Sequence, residues 1–369
     1  MADVGYAIRH DRDLKPADAP STSPTPVERR VDIELMRVVA VVAVIAIHAS
    51  GGFVTTSVRR QSGLAYDAAI VLAGVSRPAV LVFLAIAGWA MLTRRPAASE
   101  ERWLARRAVR LVVPLVAWSA TYVLWTALLA ALIGRHLWVD EASFVDWLRH
   151  EAQLFFSGQG VRVHLWYLYA LVPATLMVWL IQTAGRISHA WVYLGVCAFL
   201  VLLWGVPDAL GFSAFWIDQM WVIGYFGLGW VLLKDRAAWP HERLIGVALL
   251  TLASAVEVWG GLAGVLKVQA LISPVVFCAA AGVVLLLKGV SIEGSWRSRV
   301  NALGALTFGV YLVHELVLDA VGLVWRKGAP LAGLGSEGRL ALLWLSAVVI
   351  SFVLVWVWHR SRVLRTVLG

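Results

Sequence analysis

The chain has 369 residues, of which 60% are hydrophobic and only 15% charged. Soluble domains average about 45–50% apolar and about 25% charged, and a water-exposed globule of this composition would aggregate. The net charge of +9 lies mainly in short segments between apolar blocks, with no zinc-finger spacing and no basic stripe interleaved with aromatics, so nucleic acid is set aside as a partner.

Residues 1–30 are polar and carry Pro16, Pro20, Pro24 and Pro26. They contain no short apolar core with a cleavage site and read as a disordered cytosolic tail. Residues 31–369 form the transmembrane domain. Apolar blocks follow at 33–52, 66–92, 109–133, 164–183, 190–206, 216–233, 244–262, 268–287, 301–325 and 340–358. Several have the length of about 20 residues that crosses a hydrocarbon core. The expected fold is therefore an all-α polytopic membrane protein, a bundle of about ten transmembrane helices.

The second block holds Arg77-Pro78 and is expected to kink there. With the N-terminus inside, the inner segments hold 21 Lys and Arg against 9 in the outer ones. The positive-inside rule then puts both termini in the cytosol, in a multi-pass protein of the cell's inner (plasma) membrane. The longest outer segment, 134–163, is where an external ligand would be met.

Ionisable residues inside a membrane are costly and mark function by default. The first block holds Arg37 and His48, eleven positions apart. At about 100° per residue they return to one helix face, about 16 Å apart. Tyr311 and His314 share a face of the ninth block, while Glu315 points about 100° further round. Arg107 and Arg110 stand one turn apart at the inner start of the third block, where guanidinium forks suit phosphates. Cys197 and Cys278 lie in apolar runs and read as buried small hydrophobes, so no metal site is expected. A nucleophile elbow, a Walker loop and a zinc-protease helix are all missing from the sequence, which disfavours a Ser hydrolase, an ATPase and a zinc enzyme.

Taken together these pieces resemble the membrane-bound acyltransferase family 3, integral-membrane enzymes that O-acylate sugars. DIELMRVVAVVAVIAIHAS matches the family's opening, with Asp32, Leu35, Arg37, Ala40 and His48 in the Arg-x10-His spacing. VFLAIAGWAML resembles its small-Gly-aromatic stretch, with Ala87 where Ser is more usual. Arg107-x-x-Arg110 before Pro114, HLWYLYAL from His164 with Tyr167 in place of Phe, and LGALTFGVYLVHELVL complete the ordered set. No appended SGNH-type hydrolase domain is seen, so the chain resembles the stand-alone form.

The resemblance implies an acyl-CoA donor, by default acetyl-CoA, entering from the cytosol as a substrate; no permanently bound cofactor is implied. The acceptor it implies is a hydroxyl of a surface polysaccharide or lipid-linked glycan. His48 and His314 are the expected catalytic residues, His48 as general base or as the carrier of an acyl-His intermediate. Arg37, Arg107, Arg110 and Tyr311 are assigned to the donor, Tyr311 also standing beside His314 where the acyl carbonyl is oriented. Trp166, Tyr167 and Glu315 are accessory, with the role of Glu315 open. The sequence is silent on oligomeric state. The competing class is a polytopic exporter of a polysaccharide or lipid-linked sugar, which explains the inner arginines less readily.

Overall fold

The computed structural model describes residues 30–57, 63–93, 100–133, 143–157, 160–183, 195, 221–235, 240–264, 273–327 and 335–368. The tail of residues 1–29 and, residue 195 apart, the apolar block at 190–206 lie outside them. Among the described residues every regular element is helical, as the lack of water in a bilayer demands of an unclosed chain. The helices are α1 (Val31–Ser57), α2 (Leu64–Ser76), α3 (Ala79–Leu92), α4 (Glu100–Ile133), α5 (Phe144–Ser157) and α6 (Trp166–Thr183). They continue as α7 (Trp221–Leu233), α8 (Glu242–Leu262), α9 (Pro274–Leu287), α10 (Gly294–Lys327), α11 (Ser336–Trp358) and α12 (Arg362–Leu368).

Seven segments of the described chain are long and apolar enough to cross a membrane, and α7 and α9 are shorter apolar helices. The described helices thus match nine of the ten hydropathy blocks. Two start earlier than hydropathy places them. Charge ends an apolar window, but Glu, Arg, Ala and Leu are all good helix formers, so α4 begins at Glu100; α10 begins at Gly294, ahead of its apolar run, through a polar stretch with Arg297 and Arg299. The outer segment 134–163 is not simply a loop, because α5 forms within it as a short amphipathic helix. Its charged face keeps it below any hydropathy threshold.

Local chemistry sets the breaks. Pro78 has no N–H to donate and separates α2 from α3, with Arg77 N bonding back to Gly74 O at 3.4 Å. Ser273 caps α9, its hydroxyl accepting from Val276 N at 3.1 Å just before Pro274 opens the first turn. Asp32 and Glu34 place negative charge in the first turn of α1, where the helix dipole favours it.

α1 is the central strut, in contact with α2, α3, α9, α10 and α11. Its Met36, Val41, Val44, Ile45 and Ala46 are fully buried, whereas Leu124 of α4, Leu252 of α8 and Val349 of α11 face outward. The α3–α7 crossing needs glycine on both sides. A Cβ on Gly88 would meet the backbone of Phe226, and one on Gly229 the backbone of Ala85. Such small-residue contacts supply packing where apolar lipid offers no hydrophobic drive. Among the described residues the ion pairs Arg77–Glu257, at 2.7 Å, and Lys288–Glu242, at 3.1 Å, are buried away from the histidines.

The direction of three helices matters for the site. Gly304 of α10 packs against the Glu34 side chain near the start of α1, and Glu315 meets His48 further along both. On α4, Tyr122 reaches Leu312 of α10, and Trp125, further on, reaches Asp319. α1, α4 and α10 therefore run in the same direction, and residue order along each gives depth.

Candidate active site

Three imidazoles and a carboxylate from three parts of the chain meet inside the bundle. His48 comes from α1, His314 and Glu315 from α10, and His164 from the 3-10 turn Val163–Leu165 that leads into α6. The ring centroids of His48 and His164 each lie 5.0 Å from His314, and 6.0 Å from one another. Glu315 is the hub, with Oε1 2.6 Å from His48 Nδ1 and Oε2 3.8 Å from His164 Nδ1. His164 and His314 are buried, while His48 and Glu315 keep 21% and 17% side-chain exposure and so form the accessible side of the cluster.

The surrounding hydrogen bonds fix which ring nitrogens face the site. A carboxylate only accepts, so His48 donates from Nδ1 to Glu315 and its Nε2 is left with a lone pair. His314 Nδ1 lies 2.6 Å from the Tyr311 carbonyl, which also only accepts, so its Nε2 likewise carries a lone pair. That nitrogen is buried and has no hydrogen-bond partner among the described residues. Neither nitrogen of His164 has one either. A neutral imidazole has one N–H and one lone pair, so His164 is the ring of the three with an uncommitted N–H.

Tyrosines brace this arrangement. The Tyr311 hydroxyl donates to the His164 carbonyl, holding the turn against α10. The Tyr122 hydroxyl donates to Leu312 O at 2.8 Å, and its ring lies 5.1 Å from that of His164. Tyr311 is thus buried in the centre, with its hydroxyl committed to backbone. Tyr167 is buried too, 5.4 Å from the Tyr311 ring and 6.3 Å from Phe83. Trp166 is partly exposed and packs edge-on against Tyr167 at 6.3 Å.

The arginines gather toward the start of α1 and α4. Arg37 pairs with Glu34 at 3.2 Å and is 37% exposed. Arg107 is half-buried, donates to Met91 Sδ at 3.9 Å, and has an Nε without a partner among the described residues. It lies within Coulombic reach of Arg110, Arg37 and the Tyr167 hydroxyl. Arg110 is exposed. From Arg107 the rings of Tyr167 and Tyr311 lead to the histidines, so the cationic end and the imidazoles are connected through aromatic side chains.

The ligating atoms of His48, His314 and Glu315 fall within 4.8 Å of one another, close enough to converge on a cation. The sequence offered no metal spacing because these ligands come from helices far apart in the chain. Sequence reasoning also assigned no role to His164, although it opens a quoted motif. It stands at the edge of an apolar block, where a histidine reads as a boundary residue; a third histidine bordering an apolar run was the available signal.

The described helices thus bring a His–Glu pair and two further imidazoles together inside the bundle, with an arginine cluster toward the start of α1 and α4. The chain matches the acyltransferase domain family over residues 30–360, nearly its whole length. It belongs to the membrane-bound acyltransferase family 3. No curated protein and no solved structure matches it.

Proposed function

We propose that the protein moves an acyl group, by default acetyl, from cytosolic acyl-CoA to a hydroxyl of a cell-surface polysaccharide or lipid-linked glycan. The observation that carries this reading is the His48–Glu315 contact of 2.6 Å, with Arg37 one helix face below it. Eleven residues of α1 separate the arginine from His48, about 16 Å. An extended pantetheine arm is of comparable length. Arg37, Arg107 and Arg110 hold the donor's phosphates through charge-assisted hydrogen bonds. The arm passes Tyr167 and Tyr311 and presents its thioester to the imidazoles. The excess of Lys and Arg in the segments on that side supports a cytosolic placement of both termini in the inner (plasma) membrane. No resident cofactor is invoked.

In the reaction, the acceptor oxygen attacks the thioester carbonyl while His48 Nε2 takes the hydroxyl proton. Glu315 holds the Nδ1–H and stabilises the imidazolium that forms. The C–O bond forms, the C–S bond breaks, and the CoA thiolate leaves with a proton returned from His48. In the two-step variant His48 Nε2 attacks the thioester carbonyl and the C–S bond breaks to release CoA thiolate; the acceptor oxygen then attacks the acyl-imidazole, its proton passing to His314 Nε2 as the C–N bond breaks. His314 is not the oxyanion donor in this reading, because its Nε2 presents a lone pair. His164, with its uncommitted N–H, takes the developing oxyanion. The hydroxyl has one proton, which goes to His48 in the direct route; His314 Nε2, in the ring next to His48, receives it only in the two-step variant.

The test is acetyl-CoA binding and CoA release by the purified full chain, for wild type and His48→Ala. Saturable binding with release that depends on His48 establishes the acyltransferase. Binding with equal release in His48→Ala removes the base assignment. Failure to bind any acyl-CoA in well-folded protein overturns the donor and moves the exporter reading ahead.

A further inference from the structure

Beyond the histidines, away from the arginines, a second polar cluster remains that the reaction above does not use. Asp319 Oδ2 accepts from Arg162 Nη2 at 3.0 Å and from Trp125 Nε1 at 3.2 Å. Arg162 also donates to Thr126 Oγ1 at 3.3 Å, and its guanidinium carbon lies 5.6 Å from the centre of the Tyr122 ring. Asp319 stands four residues past Glu315 on α10, one turn or about 6 Å further along. Trp125 stands eighteen residues past Arg107 on α4, about 27 Å. The cluster is thus one turn from the catalytic carboxylate, at the opposite end of the bundle from the donor arginines. Arg162 closes the 134–163 segment.

A brace sealed inside a helix bundle would bury such a pair, as happens to Arg77–Glu257, where both side chains are 7% exposed or less. Arg162 and Asp319 keep 26% and 32% of their side chains exposed. Their groups suit one kind of ligand. A carboxylate accepts from two neighbouring hydroxyls, a guanidinium donates to hydroxyl or ring oxygens, and an indole offers a flat apolar face to the C–H side of a pyranose. The Arg162 and Asp319 charges cancel, and Glu315 one turn away adds negative charge. The site therefore favours a neutral sugar and disfavours a uronate or a phosphate.

We infer that Trp125, Arg162 and Asp319 form the acceptor subsite and bind a neutral pyranose through a vicinal diol. The inference rests on the acyltransferase reading for its meaning, because a ring seated there points one further hydroxyl toward His48 and Glu315. It would also account for a donor and an acceptor reaching the same imidazoles from opposite ends of the bundle.

The test is saturation-transfer NMR on the full chain in lipid nanodiscs, free of maltoside detergents and without acyl-CoA. The probes are methyl α-glucopyranoside, methyl α-galactopyranoside and methyl glucuronide. The expected result is saturable transfer to the ring protons of a neutral glycoside in wild type, weakened about tenfold or more in Asp319→Asn and Trp125→Ala, the loss of one charge-assisted bond or one stacking face. Trp125→Phe restores part of the binding. Where Asp319→Asn fails to melt like wild type, the Trp125 pair carries the comparison. Absence of transfer from both neutral glycosides in wild type, equal binding in the variants, or stronger binding of the glucuronide each overturns the inference. CoA release by His48→Ala is measured alongside. Retained release there, with the sugar signal intact, would defeat the catalytic reading and leave the subsite standing.

Discussion

Glu315 Oε1 lies 2.6 Å from His48 Nδ1, joining two helices that run in the same direction through the centre of the bundle. Because the carboxylate accepts the Nδ1–H, the opposite nitrogen of the ring is held as a base. A Gln at position 315 fills the same space but can turn an N–H toward Nδ1 and reverse the tautomer. Glu315→Gln is therefore expected to lower kcat by about 100-fold, the lower end of what a positioned base contributes. The donor's half-saturation should change little. CoA-release kinetics with a saturating acceptor check this, and a fall in donor affinity with kcat intact would contradict it.

His164 is expected to act on the acyl oxygen. Removing one donor of this kind from an oxyanion site typically costs about 100- to 1,000-fold in kcat. His164→Phe keeps the ring volume against Tyr122 and His314 but has no N–H, and should show a loss of that order. His164→Gln carries an N–H of similar reach and should recover part of it. If Phe and Gln were equally impaired with unchanged melting temperatures, the hydrogen-bond role would be wrong.

The donor arginines differ in setting, and their variants should differ accordingly. Arg107 is half-buried beside Tyr167, whereas Arg110 is exposed. A charge-assisted bond is worth about 1.5–3 kcal/mol, roughly 10- to 150-fold in affinity. Arg107→Ala should weaken acetyl-CoA binding within that range. Arg107→Lys should recover only part, since an ammonium lacks the bidentate fork. Arg110→Ala should have the smaller effect, and that effect should fade in high salt, which screens exposed charges first. Calorimetric titration at two salt concentrations separates the two residues.

Much of the centre is legible in the sequence, because histidine and arginine stand out in apolar runs. His48, His314 and Arg37 are visible in that way, and so is the break at Arg77-Pro78. Glu315 is visible but its role is not. A helical wheel turns it about 100° from His314, and only the placement of α1 on that side brings it to His48. Asp319 and Arg162 are 157 positions apart and belong to different elements, so no local pattern could join them. The same holds for α5, whose mixed faces escape a hydropathy window, and for the early start of α4, which rests on helix propensity ahead of the apolar run.

Arg77 and Glu257 test how far the membrane interior tolerates charge. Their side chains are 7% and 5% exposed and 2.7 Å apart, at the bend between α2 and α3 and on α8. Two isolated charges here would each carry a heavy desolvation cost. Together they meet part of it through their mutual attraction. Removing one partner breaks a buried ion pair, which typically costs about 3–5 kcal/mol. Arg77→Met and Glu257→Met should therefore each lower the melting temperature sharply or prevent accumulation. The double variant replaces the pair with flexible apolar chains of similar length, and buried pairs exchanged in this way are often neutral in stability. It should melt within a few degrees of wild type, and a double-mutant cycle should show strong coupling. Were the double variant as unstable as the singles, Arg77 would be holding something other than Glu257. Were it stable but inactive, the pair would have a part in the transfer itself.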